Sequence, residues 1–213
     1  MSLSAQLVAD NGAVWRTWLP HPFIAGVADA TLPRPVFLRW VAQDYRFVSD
    51  GLRFLGLLLA KAPPARRDLL AQAIGAWNAE LALFRAQAQA AGVDLEAPPT
   101  FITRTYGDFL LAVALQESFE TAWAVLYGVE RAYHDAWRWA RERAAADNPY
   151  REWIENWGSD AFGAFVAALA GTLDALGTGP DAAGLRARFA QTAQFEYHFW
   201  EMAWHGERFA VPV

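Results

Sequence analysis

The chain has no cysteine. Disulfides, thiolate metal sites and thiol nucleophiles are therefore excluded, whatever the compartment. It also lacks a basic run or an Arg-rich tail. The formal net charge is -5 and the isoelectric point about 5.4, a balance that disfavours a nucleic-acid partner held by counterion release. Alternating strand-like runs are absent, and so are internal repeats and low-complexity tails. The opening residues, MSLSAQLVADNGAVWRTW, lack the basic-then-apolar layout of a signal peptide, and the longest apolar stretch, LGLLLA, is far too short to span a bilayer. The expectation is a soluble, cytoplasmic protein with no membrane partner.

What is present is apolar material in excess. Hydrophobic residues make up 54% of the 213 positions and aromatics 15%, with 11 Trp, which suffices for one domain with a full-sized core, expected over residues 1–213. Some of that surplus is expected to line a pocket or a subunit contact, so a homo-oligomer is anticipated. Apolar residues recur at helical spacing almost throughout, and the fold class is all-α. Helices are expected near 4–18, 35–61, 65–91, 105–115, 117–146, 149–157, 159–176 and 181–207. The breaks PHPF (20–23), TLPRP (31–35), APP (62–64), GVDLEAPPT (92–100), DNP (147–149) and GTGPDAAG (177–184) place prolines at helix starts and glycines at helix ends.

Three acids fall on the wrong face of their helices, as judged on wheels of about 100° per residue. On the last helix Gln194, His198, Glu201 and His205 form a polar arc, yet Glu196 lies opposite, between Ala203 and Trp200. On the second long helix Arg39, Gln43, Arg46, Asp50 and Arg53 form a solvent stripe, and Asp44 points away from it toward Phe37, Trp40, Val41, Phe47 and Val48. In ETAWAVLYGVERAYHDAW the polar face is Glu117, Glu120, Arg131, Asp135 and Arg138, while Glu130 is flanked by Trp123, Leu126, Tyr127, Tyr133, His134 and Trp137. One inward carboxylate reads as a buried ion pair or a hydrogen bond to tyrosine. Three in one aromatic interior point to a held metal, an amino-bearing ligand or a proton to be moved.

Several segments together resemble the TenA/thiaminase II family, which has a haem-oxygenase-like helical fold. They are HPF (21–23), FLRWVAQDYRFV (37–48), TYGDFL (105–110), NPYREWIENWGSDAF (148–162) and FEYHFWEMAW (195–204). The resemblance implies action on pyrimidines from thiamin or its breakdown products, with hydrolytic loss of the thiazole or of an amino group, and a homo-oligomer that is a dimer or tetramer. It implies that Asp44 contacts the amino and ring nitrogens, that Tyr106 is the mid-chain site tyrosine, and that Glu196 gives or takes a proton. The family's best-known branch carries a nucleophilic cysteine where this chain reads LYGVERAY, so the chain looks like a second branch in which a glutamate, here Glu130, occupies that region. Phe47 and Trp157 stand where tyrosines are usual, each keeping a stacking surface without the hydroxyl. A thioether intermediate is unavailable without a thiol.

The expected chemistry is thus water activated by a carboxylate, acting on an aminopyrimidine or its N-formyl derivative. Glu196 and Glu130 are the candidate catalytic acids. Asp44, Phe47, Tyr106, Tyr133 and Trp157 are the candidate substrate contacts, with Phe47, Trp157 and Tyr106 bracketing the ring. No cofactor and no metal are expected. A di-iron or di-manganese oxidase is the rival enzyme class, because Glu130 with His134, and Glu201 with His205, lie one helical turn apart. Against it, the Glu-x-x-His signature is absent, and only His134 is placed to join the inward acids. His21, between two prolines, reads as a helix-start residue rather than a haem ligand. A non-catalytic small-molecule-binding module is the third reading.

Overall fold

The structure is a computed structural model that describes residues 1–19 and 21–207. Pro20, which begins the PHPF break, and residues 208–213 at the end of the expected domain lie outside the described residues. The chain is 81% helical with no strand among the described residues, as its periodicity predicts.

Among the described residues ten α-helices follow in order: α1 (Leu3–Asp10), α2 (Gly12–Trp18), α3 (Pro22–Ala28), α4 (Arg34–Lys61), α5 (Arg67–Ala91), α6 (Phe101–Gln116), α7 (Phe119–Arg141), α8 (Arg151–Gly158), α9 (Asp160–Leu176) and α10 (Ala182–His205). Their starts are set by local chemistry. The side chains of Ser2, Thr100, Ser118, Ser159 and Asp181 each accept a hydrogen bond from a backbone N–H in the first turn that has no partner within the helix. Gly92, at φ 71°, ends α5 in the left-handed conformation that a side chain would disfavour.

Three expectations about the elements change. The single helix over 4–18 is two, because Asn11 leaves helical geometry and its side-chain amide donates to the Leu7 carbonyl at 2.8 Å. The residues between the PHPF and TLPRP breaks form α3, which the proline-rich flanks concealed. His21 opens it, with Nδ1 accepting from the Phe23 N–H at 3.2 Å and Pro22 in the first turn. Helix α7 ends at Arg141, short of residue 146.

Helix α7 is the axis of the molecule. Buried residues occur on all its faces, and α3, α6, α8, α9 and α10 pack around it. Helix α4 runs beside it and against α5, α6 and α10. Arg39 of α4 ties the end of α10, donating from Nη1 to the carbonyls of Ala203 and Trp204 at 2.9 and 3.1 Å. This guanidinium meets the negative end of the helix dipole. Gln43, expected in the solvent stripe, is buried instead, because the α5–α6 connection folds over it and its Oε1 accepts from the Thr100 N–H at 2.9 Å. The surplus tryptophan is also accounted for inside the chain: nine of the eleven are buried, and Trp139 and Trp204 are half-buried. They therefore give no support to a subunit contact.

LGLLLA is not the segment nearest to a membrane span. Arg151–Leu176 reaches a mean hydropathy of 1.3, but it is two helices, because Ser159 adopts extended backbone between α8 and α9.

Candidate active site

Four helices bring four carboxyl groups into one aromatic interior. Asp44 comes from α4, Glu80 from α5, Glu130 from α7 and Glu196 from α10, and all four are buried. Each accepts one hydrogen bond from an aromatic side chain on a different helix. Tyr133 Oη–H donates to Asp44 Oδ1 at 2.7 Å, Tyr106 Oη–H to Glu196 Oε1 at 2.6 Å, Trp77 Nε1–H to Glu130 Oε1 at 2.8 Å and Trp157 Nε1–H to Glu80 Oε1 at 2.9 Å. The second oxygens of Asp44 and Glu196 are sealed from solvent without a hydrogen-bond partner. Such unpaired buried oxygens are costly in a structural role.

Among the described residues no arginine or lysine pairs with these acids, and their protonation follows. Burial pushes Asp44 up to about 7 against the opposing hydrogen bond from Tyr133. It likewise raises Glu130 to about 7 against the bond from Trp77. Glu196 is held well above the ordinary carboxylate range by burial, reinforced by the nearby Asp44 and Glu130 charges and opposed by the Tyr106 hydroxyl. Glu80 is raised in the same way by burial, then by Glu130 and Asp44. Burial and the neighbouring carboxylates keep Tyr106 and Tyr133 protonated as donors. Two acids near 7 beside two raised well above the ordinary carboxylate range make a set suited to taking and giving protons near neutral pH.

Asp44, Phe47, Glu130, Tyr133 and Trp157 all line one small cavity, together with Val48, Trp77, Glu80 and Val129. Its volume, about 10 Å³, holds roughly one water molecule. Tyr106 and Glu196, bonded to each other, sit outside that lining. The ring of Tyr106 is covered on one side by Phe47 at 4.6 Å and stacked on Phe195 at 4.8 Å, so what it presents in this conformation is its hydroxyl. Trp77, Glu80 and Glu130 also line a cleft of about 300 Å³ on the far side, completed by Gln72, Asn156 and Phe162. These three residues form the partition between cavity and cleft.

Trp77 reaches Glu130 because position 51 is glycine. A Cβ there would lie 1.9 Å from Trp77 Cζ3. Trp77 and Glu80 are the members of the site that sequence reasoning missed. A wheel of α5 carries the signal, since Trp77, Leu81 and Phe84 lie at positions −3, +1 and +4 from Glu80 and all are buried.

His134 does not join the acids. Its Nδ1 lies 2.9 Å from the Trp157 carbonyl oxygen, and its ring packs toward Phe162 of α9. Among the described residues no three His, Cys, Asp or Glu side chains are grouped so as to hold a metal ion. His21 is a helix cap, and its other nitrogen lies 3.1 Å from Glu201 Oε1. A groove of about 260 Å³ beside His198, Glu201 and His205 lies on the polar arc of α10, outside the four-acid interior.

The chain is similar to known proteins over nearly its whole length. An aminopyrimidine aminohydrolase of Halalkalibacterium halodurans is 29% identical over 96% of each chain. One of Helicobacter pylori is 25% identical over 96% of this chain and 99% of that one. A crystallographic TenA homologue from Pyrococcus furiosus superposes with a TM-score of 0.90 at 34% identity, covering 94% of this chain and 98% of its own. The helical arrangement is thus the haem-oxygenase-like one expected. A family model described as TENA/THI-4/PQQC matches residues 11–206, and the chain belongs to that family.

Proposed function

We propose that this protein is a thiamin-salvage hydrolase that removes an amino or N-formyl group from an aminopyrimidine by carboxylate acid–base chemistry. The observation that carries the reading is the pair of buried, unpartnered oxygens, Asp44 Oδ2 and Glu196 Oε2, in an aromatic interior. An amino or ring N–H donating to Asp44 Oδ2 supplies the partner that the ionised form lacks, and it favours ionisation of a group already near 7. Phe47 and Trp157 offer apolar faces to a flat ring. Tyr133 holds Asp44 in orientation. The names of the relatives support the substrate class.

In the deaminating reaction water attacks the carbon that bears the nitrogen, one water proton passes to an ionised carboxylate, and a protonated carboxyl gives a proton to the departing nitrogen. The C–N bond breaks, a C–O bond forms, and ammonia leaves. Glu196 and Glu130 are the two groups we assign to these transfers, and with no cysteine in the chain we read it as a member of the branch of the family that lacks that nucleophile. A cavity of about 10 Å³ is smaller than a pyrimidine, so binding requires the partition to move. The natural setting is proposed to be the cytoplasm, in a single-domain protein that forms a dimer or tetramer and partners neither nucleic acid nor membrane.

Ammonia and formate release from aminopyrimidine and formylaminopyrimidine by the purified protein tests this reading. Glu196→Gln is expected to bind the pyrimidine with near-normal affinity and to lose turnover by roughly 10²-fold or more. Rapid hydrolysis by that variant sinks the acid–base role. Binding without turnover in the unaltered protein moves the assignment to a binding module.

A further inference from the structure

Trp77 is a member of the site to which the proposed reaction gives no part. Its indole N–H donates to Glu130 Oε1 at 2.8 Å, and among the described residues this is the one hydrogen bond that the Glu130 carboxyl makes. The ring that carries the N–H is clamped. Trp77 is buried, its six-membered ring fills the space that residue 51 leaves by having no side chain, and the Phe47 ring lies 6.2 Å away, centroid to centroid. Helix α4 thus fixes how a side chain of α5 aims at an acid of α7.

The four buried acids receive two kinds of donor. Asp44 and Glu196 are bonded to phenols, which can give a proton or accept one. Glu130 and Glu80 are bonded to indoles, which only give. Tyr106 can therefore serve a protonated Glu196 by accepting from it, whereas Trp77 keeps a proton off Oε1 of Glu130 and stabilises the carboxylate most. Glu80 has the same kind of donor in Trp157, but the charges of Glu130 and Asp44 both bear on it and disfavour its ionisation. Glu130 is opposed by burial alone, which pushes it up to about 7 against the bond from Trp77. It lines the cleft as well as the inner cavity, so it exchanges protons with solvent between turnovers. The titratable groups that face it are Asp44 from α4, Glu80 from α5, Tyr106 from α6, Glu196 from α10 and Tyr133 from its own helix. His134 is turned to the Trp157 carbonyl, α8 brings an indole, and neither α3 nor the cleft lining of α9 carries a charge.

We infer that Trp77 is the positioning residue of the general base: its indole N–H holds Glu130 as the carboxylate that takes a proton from the attacking water, and leaves Glu196 as the acid. This rests on the proposed hydrolase reading and deepens it, because it says which glutamate plays which part. In one turnover Glu130 gains a proton from water and Glu196 gives one to the departing nitrogen. The site resets when Glu130 releases its proton and Glu196 takes one up, so the sum is amine plus water giving alcohol plus ammonia.

The test is Trp77→Phe, which keeps an aromatic ring at the position and removes the N–H. If that variant does not fold, Gly51→Ala/Trp77→Phe carries the same measurements, since its added methyl occupies space that the larger ring gives up. Ammonia release is followed as kcat/KM across pH, which reports the groups of the free enzyme. A base works ionised, so its titration forms the acidic limb. Without the N–H the carboxylate is less stable, and this limb is expected to move up by about one pH unit, a roughly tenfold loss near pH 6 that fades above about pH 8. A limb shared by coupled acids belongs to the set, and the variant that moves it identifies the member. An equal loss at every pH assigns Trp77 to packing and overturns the inference, as does an unmoved profile. Displacement of the alkaline limb alone makes Glu130 the acid and overturns it too. Ionisation of Glu130 is also read without turnover, from the infrared carbonyl band of protonated carboxyls that Glu130→Gln removes. Its midpoint is expected near 7 in the unaltered protein and about one pH unit higher in Trp77→Phe. A midpoint that Trp77→Phe leaves in place overturns the inference while the hydrolase reading stands. An unaltered protein that titrates as expected but releases neither ammonia nor formate overturns the hydrolase reading, and the base role falls with it.

Discussion

Asp44→Asn separates the electrostatic cost of the site from its use. Asparagine keeps an oxygen for the Tyr133 hydroxyl, which donates to Oδ1 at 2.7 Å, and it replaces the unpartnered Oδ2 with an amide. The loss of the titrating group is what changes with pH. In the unfolded chain Asp44 ionises near 3.8; in the fold it ionises near 7. Below 3.8 both states are protonated and the group is neutral to stability. As pH rises toward 7 the unfolded chain releases its proton while the folded one retains it, so the unfolded state gains ground, and the loss is complete above about 7. From pH 5 to pH 8 roughly two pKa units of this remain to be lost, about 3 kcal/mol at 1.36 kcal/mol per unit. For a chain of this size that is roughly 6–12 °C in Tm. Asp44→Asn is therefore expected to gain about that much on the unaltered protein between pH 5 and pH 8, in thermal melts at matched ionic strength. It should lose affinity for the aminopyrimidine at the same time, because a stabilised site is one with less to offer a ligand. A melting gap that stays constant from pH 5 to pH 8 refutes the buried-carboxylate reasoning.

Two further substitutions test the scaffold. Gly51→Ala places a Cβ 1.9 Å from the Trp77 ring and expels the indole from its seat on Glu130. We expect destabilisation of about 1–3 kcal/mol, a red shift in tryptophan emission and slowed ammonia release; unchanged emission and activity contradict the seat assigned to Trp77. Asn148→Ala removes an amide that donates to the Val27 and Ala28 carbonyls at 2.9 and 3.0 Å and so closes the end of α3. Urea denaturation should show a loss of about 1–3 kcal/mol with kcat unchanged, since Asn148 lines neither cavity nor cleft.

Much of the site was legible because an inward acid betrays itself locally. Asp44, Glu130 and Glu196 each have apolar neighbours three and four positions away, so each helix declares the direction of its own carboxylate. Glu80 escaped notice because α5 is rich in alanine and exposed along much of its length, which dilutes the contrast between faces. Helix α3 escaped because its proline flanks look like loop until His21 is seen capping it. Gln43 misled for a different reason: its solvent-side position is roofed by a connection some 57 residues further on.

The amino-acid sequence by itself determined the all-α architecture, most helix boundaries, the exclusion of thiol chemistry and the inward aim of three acids. These depend on residue identity and on a 3.6-residue period, which are properties of a single segment. Only the tertiary structure decided which donor each acid received. Tyr106 and Glu196 are 90 residues apart, Tyr133 and Asp44 are 89 apart, and Trp157 and Glu80 are 77 apart. It also decided that two carboxylate oxygens go unpartnered and that Trp77, Glu80 and Glu130 lie between a small inner cavity and a larger cleft. Periodicity sets a side chain's direction about its own helix axis. What it meets there is set by the packing of other helices, and no single segment encodes that.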